Sequence, residues 1–137
     1  MHWSYGDIID AIVPALPEDA PALIHGDLIV SWSEFNRRTN SLARSLLNTG
    51  ATTESKVAFY MRNRPAYMET VVACFRSRLV HVNVNYRYQP DELFYIFDNS
   101  DAEIVVFDSE FAEIAETLRG RLPLVKAWIE VTEGHSP

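Results

Sequence analysis

From residue 57 onward, short runs rich in β-branched and aromatic residues alternate with longer stretches of helical periodicity. That alternation constrains the fold more than any other feature of the sequence. Val57-Ala58-Phe59-Tyr60-Met61, Leu79 to Val84, Glu103 to Phe107 and Val125 to Val131 read as strands. The segments between them carry apolar residues at helical spacing. Tyr67, Met68, Val71, Val72 and Phe75 form one such face. Leu93, Phe94, Ile96 and Phe97 form a second, and Phe111, Ile114, Ala115 and Leu118 a third. Strand, helix, strand repeated at this spacing predicts an α/β fold with a mostly parallel, helix-flanked sheet and right-handed crossovers.

The first 50 residues follow a different plan. Ile8, Ile9, Ile12, Val13 and Leu16 are spaced as on a helix over Tyr5 to Leu16, with Pro14 and Pro17 helping to end it. Ala22 to His25 and Leu28 to Val30 flank Gly26-Asp27, which predicts a small antiparallel β-hairpin. Ser31-Trp32-Ser33-Glu34 has the form of a reciprocal capping box. The helix it opens places Trp32, Phe35, Leu42, Ala43, Leu46 and Leu47 on one stripe, and leaves Arg37, Arg38 and Arg44 in water. Gly50 stands where a left-handed helix end is wanted. Further on, Asn63 is expected to cap the next helix with Pro65 in its first turn, and Asp108 to cap the last one. Asp91 and Glu92 suit the N-terminal dipole of the helix after Gln89-Pro90.

Charge and cysteine content exclude several function classes. The 137 residues carry 12 basic and 19 acidic side chains, for a net charge of −7. Such a chain as a whole is a poor match for nucleic acid. The balance is uneven: residues 56–88 hold six basic side chains and one acidic one, while residues 89–137 hold three and eleven. The basic middle can attract anions locally. The single cysteine, Cys74, excludes an internal disulfide framework, and four scattered histidines exclude a zinc module. No apolar run approaches the roughly 18 residues of a membrane span. Nor does the start, Met1 to Asp7, look like a secretory signal. A reducing, cytoplasmic location is expected.

The search for chemistry returns little. The five glycines, at 6, 26, 50, 120 and 134, fall in no frame that lets backbone amides cradle phosphate, and the only lysines are Lys56 and Lys126. This also argues against a stand-alone flavodoxin-like nucleotide domain. No nucleophile elbow is present. Cys74, inside a predicted helix beside Phe75, reads as a small core residue. His81 lies mid-strand and reads as structural; His25 sits beside a turn, and His2 and His135 are terminal. Glu110, Glu113 and Glu116 read as a solvated acidic helix side. The least ordinary stretch is Val82-Asn83-Val84-Asn85-Tyr86-Arg87-Tyr88. It follows the C-terminal end of a strand, which in open α/β sheets is the edge where ligands bind. The alternative is a polar strand exit that satisfies loop backbone groups.

Taken together, these segments resemble the adenylate-forming (AMP-binding) acyl-CoA synthetases. Ser31 to Arg38 is similar to the family's first core motif, and Val57 to Arg64 to its following strand and Asn-containing exit. Ala73 to Tyr88 is similar to the second core motif, Pro90 to Ser100 to the next helix, and Ala102 to Asp108 to the next strand. The likeness covers about residues 5 to 131. One departure is that many members have Ala-Gly where this chain has Ser77-Arg78. The wording of Val82 to Tyr88 suggests a subgroup acting on fatty or other bulky hydrophobic acids.

What the resemblance implies is an ATP-dependent ligase. A carboxylate attacks the α-phosphate of ATP with magnesium to give an acyl-adenylate, and coenzyme A then displaces AMP. The family's Ser/Thr/Gly-rich phosphate loop, adenine-contacting motif, magnesium-binding glutamate and C-terminal domain with its lysine have no counterpart in residues 1–137. No catalytic, cofactor-binding or metal residue is therefore carried over. The expectation is a partial N-terminal subdomain, residues 1–137, inactive alone and prone to self-associate through uncovered apolar surface. The competing expectation is a non-catalytic scaffold subunit completed by another chain. Substrate carboxylic acid, ATP, magnesium and CoA would belong to the full-length family, and no cofactor is expected on this chain.

Overall fold

The computed structural model describes residues 3–132. His2, Gly134 and His135 lie outside the described residues. Contacts divide the chain into two compact units, residues 3–53 with 63–79, and residues 54–62 with 80–132.

The first unit begins with helix α1, Tyr5–Ile12, followed by a 3₁₀ turn, Val13–Ala15. The regular helix thus ends before Pro14, short of the expected Leu16. Its start carries a capping box that the sequence reading passed over: Ser4 Oγ accepts from the Asp7 amide at 3.2 Å and Asp7 accepts from the Ser4 amide at 2.8 Å. Strands β1, Pro21–His25, and β2, Leu28–Ser31, form the expected antiparallel hairpin. Gly26 takes a φ of 59° as the first residue of its two-residue turn, the place where the tight hairpin turns ask for glycine.

Helix α2 spans Trp32–Asn48. Ser31 Oγ accepts from the Glu34 amide at 3.2 Å, but the reciprocal half of the predicted box is not made. Glu34 turns to Arg37 instead, 2.6 Å away. Helix α3 spans Pro65–Ser77, with Arg64 rather than Asn63 at its N-cap. Its buried residues are Glu69 to Cys74 and Ser77, while Met68 is 45% exposed. The predicted apolar face was thus partly wrong, because three polar residues on α3, Glu69, Thr70 and Ser77, turn inward. Glu69 meets Arg38 of α2 at 3.2 Å, so Arg38 is not the free surface residue expected. Val30, Phe35 and Val72 form the unit's apolar centre, with Ile9, Ala22, Leu23 and Trp32 against it.

The second unit holds a parallel sheet in the order β4-β3-β5-β6: β3 Lys56–Tyr60, β4 Val80–Asn83, β5 Ala102–Asp108 and β6 Ala127–Val131. Helix α4, Pro90–Asn99, and helix α5, Ala112–Arg119, complete it. Ala58 and Tyr60 of β3 share one sheet face with Val105 and Phe107 of β5. Leu93 and Phe97 of α4 and Ala115 and Leu118 of α5 pack there. Val57, Phe59, Ile104 and Val106, on the other face, are equally buried. Burial on both faces explains why these central strands read as continuous apolar runs instead of alternating ones.

Candidate functional site: the C-terminal edge of the sheet

Parallel strands deliver their exits to one edge, so residues far apart in sequence meet there. Strand β3 leaves through Met61 and Arg62. Its neighbour β5 ends at Asp108 and enters a 3₁₀ turn, Ser109–Phe111. Strand β4, on the other side of β3, leaves through Val84, Asn85 and Tyr86.

Asp108 is 1% exposed and accepts from the backbone amide of Arg62 at 2.7 Å. The sequence reading made Asp108 a helix cap. The structure gives it no capping bond to its own turn and uses it to tie β5 to the β3 exit. The Arg62 side chain then reaches across: its Nε donates to Glu110 Oε1 at 2.6 Å, and its guanidinium lies 4.6 Å from the centre of the Tyr86 ring. Phe111 stacks on Tyr60 at 4.3 Å between ring centres and lies near Tyr86 at 6.2 Å. One arginine, one buried carboxylate and three aromatic rings thus join the exits of three adjacent strands. The hydrogen bond to Glu110 holds the Arg62 guanidinium even more firmly protonated than usual. Burial, with Glu110 adding to it, pushes the Tyr60 phenol above its ordinary range.

The stretch singled out in the sequence is part of this edge, and the hydrogen bonds it makes are those of the second role weighed for it. Asn85 Oδ1 accepts from the Arg87 amide at 3.0 Å, and the Tyr88 amide donates to the Asn85 carbonyl at 3.0 Å. That is the backbone-satisfying polar exit. Arg87 itself is exposed, with its guanidinium 5.6 Å from the Tyr86 ring and no carboxylate partner among the described residues. Its positive charge is available to an anion. Beside this edge, Tyr88, Asp91, Glu92, Tyr95 and Ile96 line an open hollow of about 500 Å³.

Other candidates fall elsewhere. Cys74 is fully buried, and burial pushes its thiol up to about 12, which removes it as a nucleophile at neutral pH. His81 is half-buried with its ring 5.9 Å from Phe59. Of the acidic helix side, Glu110 is drawn off to Arg62, and Glu116 pairs with Arg119 at 3.6 Å. Among the described residues no group of three His, Cys, Asp or Glu side chains could hold a metal ion.

The AMP-binding enzyme family profile matches residues 11–134. The chain belongs to this family. A 3-oxocholest-4-en-26-oate–CoA ligase of Rhodococcus rhodochrous is 32% identical over 134 residues, 98% of this chain and 24% of that protein. A feruloyl-CoA synthase of an Amycolatopsis species is 35% identical over 109 residues, 79% of this chain and 22% of that protein. In shape, the chain matches the anthranilate CoA ligase AuaEII, solved with anthranoyl-AMP, at a TM-score of 0.88 and 18% identity, covering 95% of this chain and 25% of that one. The chain therefore spans about a quarter of the length of the AMP-binding relatives it matches.

The Arg62–Asp108–Glu110 junction was not legible in advance. It depends on β3 and β5 being neighbours with β4 outside them, and strand order is not written in local periodicity. The usable signal was that Arg62 and Asp108 each stand at the C-terminal exit of a predicted strand.

Proposed function

We propose that this chain forms the opening portion of an ATP-dependent acyl-CoA ligase, and that residues 1–137 by themselves do not catalyse the ligation. The whole reaction joins a carboxylic acid to ATP as an acyl-adenylate, then to CoA as a thioester. The observation carrying this reading is that nearly the whole chain aligns with CoA ligases while covering about a quarter of their length.

The residues present do not fit ATP and magnesium. Stabilising a transferring phosphoryl group requires amides and cations converging on one point. The four described glycines lie in separate segments, and space around Gly26, Gly50 and Gly120 is open instead of forming a cradle. No step of the reaction is assigned to this chain's residues. The Arg87–Tyr86 surface would meet an anionic portion of a ligand from one side only. The relatives' names span sterol, feruloyl and anthranilate acids, so the substrate class proposed is an organic carboxylic acid. Among the described residues no helix is long and apolar enough to cross a membrane, and a cytoplasmic setting fits the buried free thiol.

The test is incubation of the 137-residue chain with ATP, magnesium, CoA and a panel of fatty, steroid and aryl acids. No AMP release above background is expected, and robust release overturns the reading. A second reading, a scaffold completed by another polypeptide or by a second copy, draws on one observation. Of twelve large apolar side chains exposed at the surface among the described residues, nine (Trp3, Tyr5, Ile8, Ile12, Ile24, Leu28, Ile29, Leu47 and Met68) belong to the first unit. A chain that stays monomeric at high concentration counts against that second reading.

A further inference from the structure

Helix α1 is attached in an unusual way. An eight-residue helix is unstable alone and ordinarily holds on by an apolar face. In α1 the apolar stripe points outward: Tyr5, Ile8 and Ile12 are 68%, 42% and 49% exposed. Only Ile9 reaches the unit's apolar centre, and the one buried residue of the helix is Gly6. A Cβ on Gly6 would sit 2.5 Å from the Phe75 carbonyl oxygen and 2.9 Å from the Arg76 Cα. The backbone of α1 thus lies directly against the C-terminal turn of α3, and no larger residue fits there.

The Tyr5 ring, though largely exposed, also lies against Phe75 of α3, 5.1 Å between ring centres. The other side-chain contacts are ionic. Asp7 meets Arg78 at 3.2 Å, and Asp10 meets Arg76 at 3.4 Å. The two arginines differ in what they need. Arg78 is half exposed and has water as an alternative partner. The Arg76 side chain is only 5% exposed. Its two terminal nitrogens donate to the side-chain oxygens of Asn36 and Asn40 on α2, which are neutral, and its Nε is buried without a partner among the described residues. Asp10 is the only carboxylate with which it forms an ion pair there, and Asp10 is itself 63% exposed. A buried cation without its counter-charge is strongly destabilising, whereas an exposed carboxylate loses little by turning to water.

We infer that α1 is a detachable strap, docked chiefly to compensate the buried charge of Arg76, with apolar contact limited to Ile9 and the edge of the Tyr5 ring, and that it releases as a unit ahead of the α2–α3 pair. Release carries Asp7 and Asp10 away together and opens the guanidinium of Arg76, with Asn36 and Asn40 beside it, to solvent anions. Because both carboxylates are partly exposed, salt loosens the strap.

Amide hydrogen exchange on the 137-residue chain, resolved by mass spectrometry, tests this. Asp10→Asn is expected to speed exchange of the amides of residues 8–13 by about tenfold while those of β5 stay within about twofold. Raising sodium chloride from about 0.05 M to about 0.5 M is expected to speed the same amides roughly threefold in the unaltered chain. In an Arg76→Met background the buried charge is gone, and Asp10→Asn is expected to change the exchange by less than about twofold. Three results each overturn the strap: no acceleration in Asp10→Asn, no response to salt, or an equal acceleration with Met at 76. Should the Met variant fail to fold, the first two measurements still decide.

Discussion

The two edges of the parallel sheet are constructed from different materials. At the N-terminal edge the chain turns into β3 and β5 through Glu54 and Asp101, whose φ values are 71° and 56°. Neither is glycine, so the left-handed backbone there is strained, less so for Asp, which tolerates that region. The C-terminal edge has no such residue among the described ones. It is joined by side chains: Asp108 to the Arg62 amide, Arg62 to Glu110, and the Tyr60, Tyr86 and Phe111 rings. One edge fixes where strands begin by backbone geometry. The other joins strand exits through side chains, and it can vary them without re-threading the sheet.

Mutations that act on one edge and not the other sharpen this contrast. The largest effect is expected from Asp108→Ala, which takes the acceptor from the Arg62 amide and removes a charge-assisted hydrogen bond made by a buried carboxylate. A loss of about 2–3 kcal/mol in urea unfolding is expected, and a loss below about 1 kcal/mol would mean that side chains do not hold the C-terminal edge. At the opposite edge Glu54→Gly relieves the left-handed strain against a higher unfolded-state entropy. It is expected to stabilise by about 0.5 kcal/mol, with Asp101→Gly near zero; destabilisation by Glu54→Gly would show the turn to be unstrained.

A smaller effect than that of Glu54→Gly concerns pH. Glu103, at the N-terminal edge, is held below the usual glutamate range first by its hydrogen bond from Lys126, at 2.8 Å, and then by Ser55. A carboxyl with a lowered folded-state pKa contributes stability above the ordinary glutamate range and loses it as pH falls through the folded value. Glu103→Gln is therefore expected to flatten the acid side of the stability curve, by about 0.3 kcal/mol for so exposed a pair. An unchanged curve between about pH 6 and about pH 3 would remove Glu103 from the account.

How much of this was legible beforehand follows from the range of the interactions. The hairpin, both long helices of the first unit and all four parallel strands were written in local periodicity and turn residues. So was Gly50, whose φ of 94° is the left-handed value expected of it. The failures share one cause. Asp108, Glu34 and Asn63 were each assigned a local capping role, and in two of the three cases the structure gives the side chain to a different bond: Asp108 to the Arg62 amide and Glu34 to Arg37. The Arg38–Glu69 pair and the Arg62–Glu110 pair join residues separated by more than thirty positions. No local pattern distinguishes such residues from ordinary solvated charges. Arg78 is the instructive intermediate. The resemblance read from the sequence set Ser77-Arg78 against an Ala-Gly pair, and the backbone there is one that suits glycine: Arg78 ends α3 at a φ of 59°.

The position of Cys74 has a practical corollary. It is the chain's only sulfhydryl, it is sealed inside α3, and its proton is held too tightly for thiolate to form at neutral pH. Two native copies cannot cross-link through it, so a covalent dimer on a non-reducing gel would be a record of molecules that had lost their fold before they met.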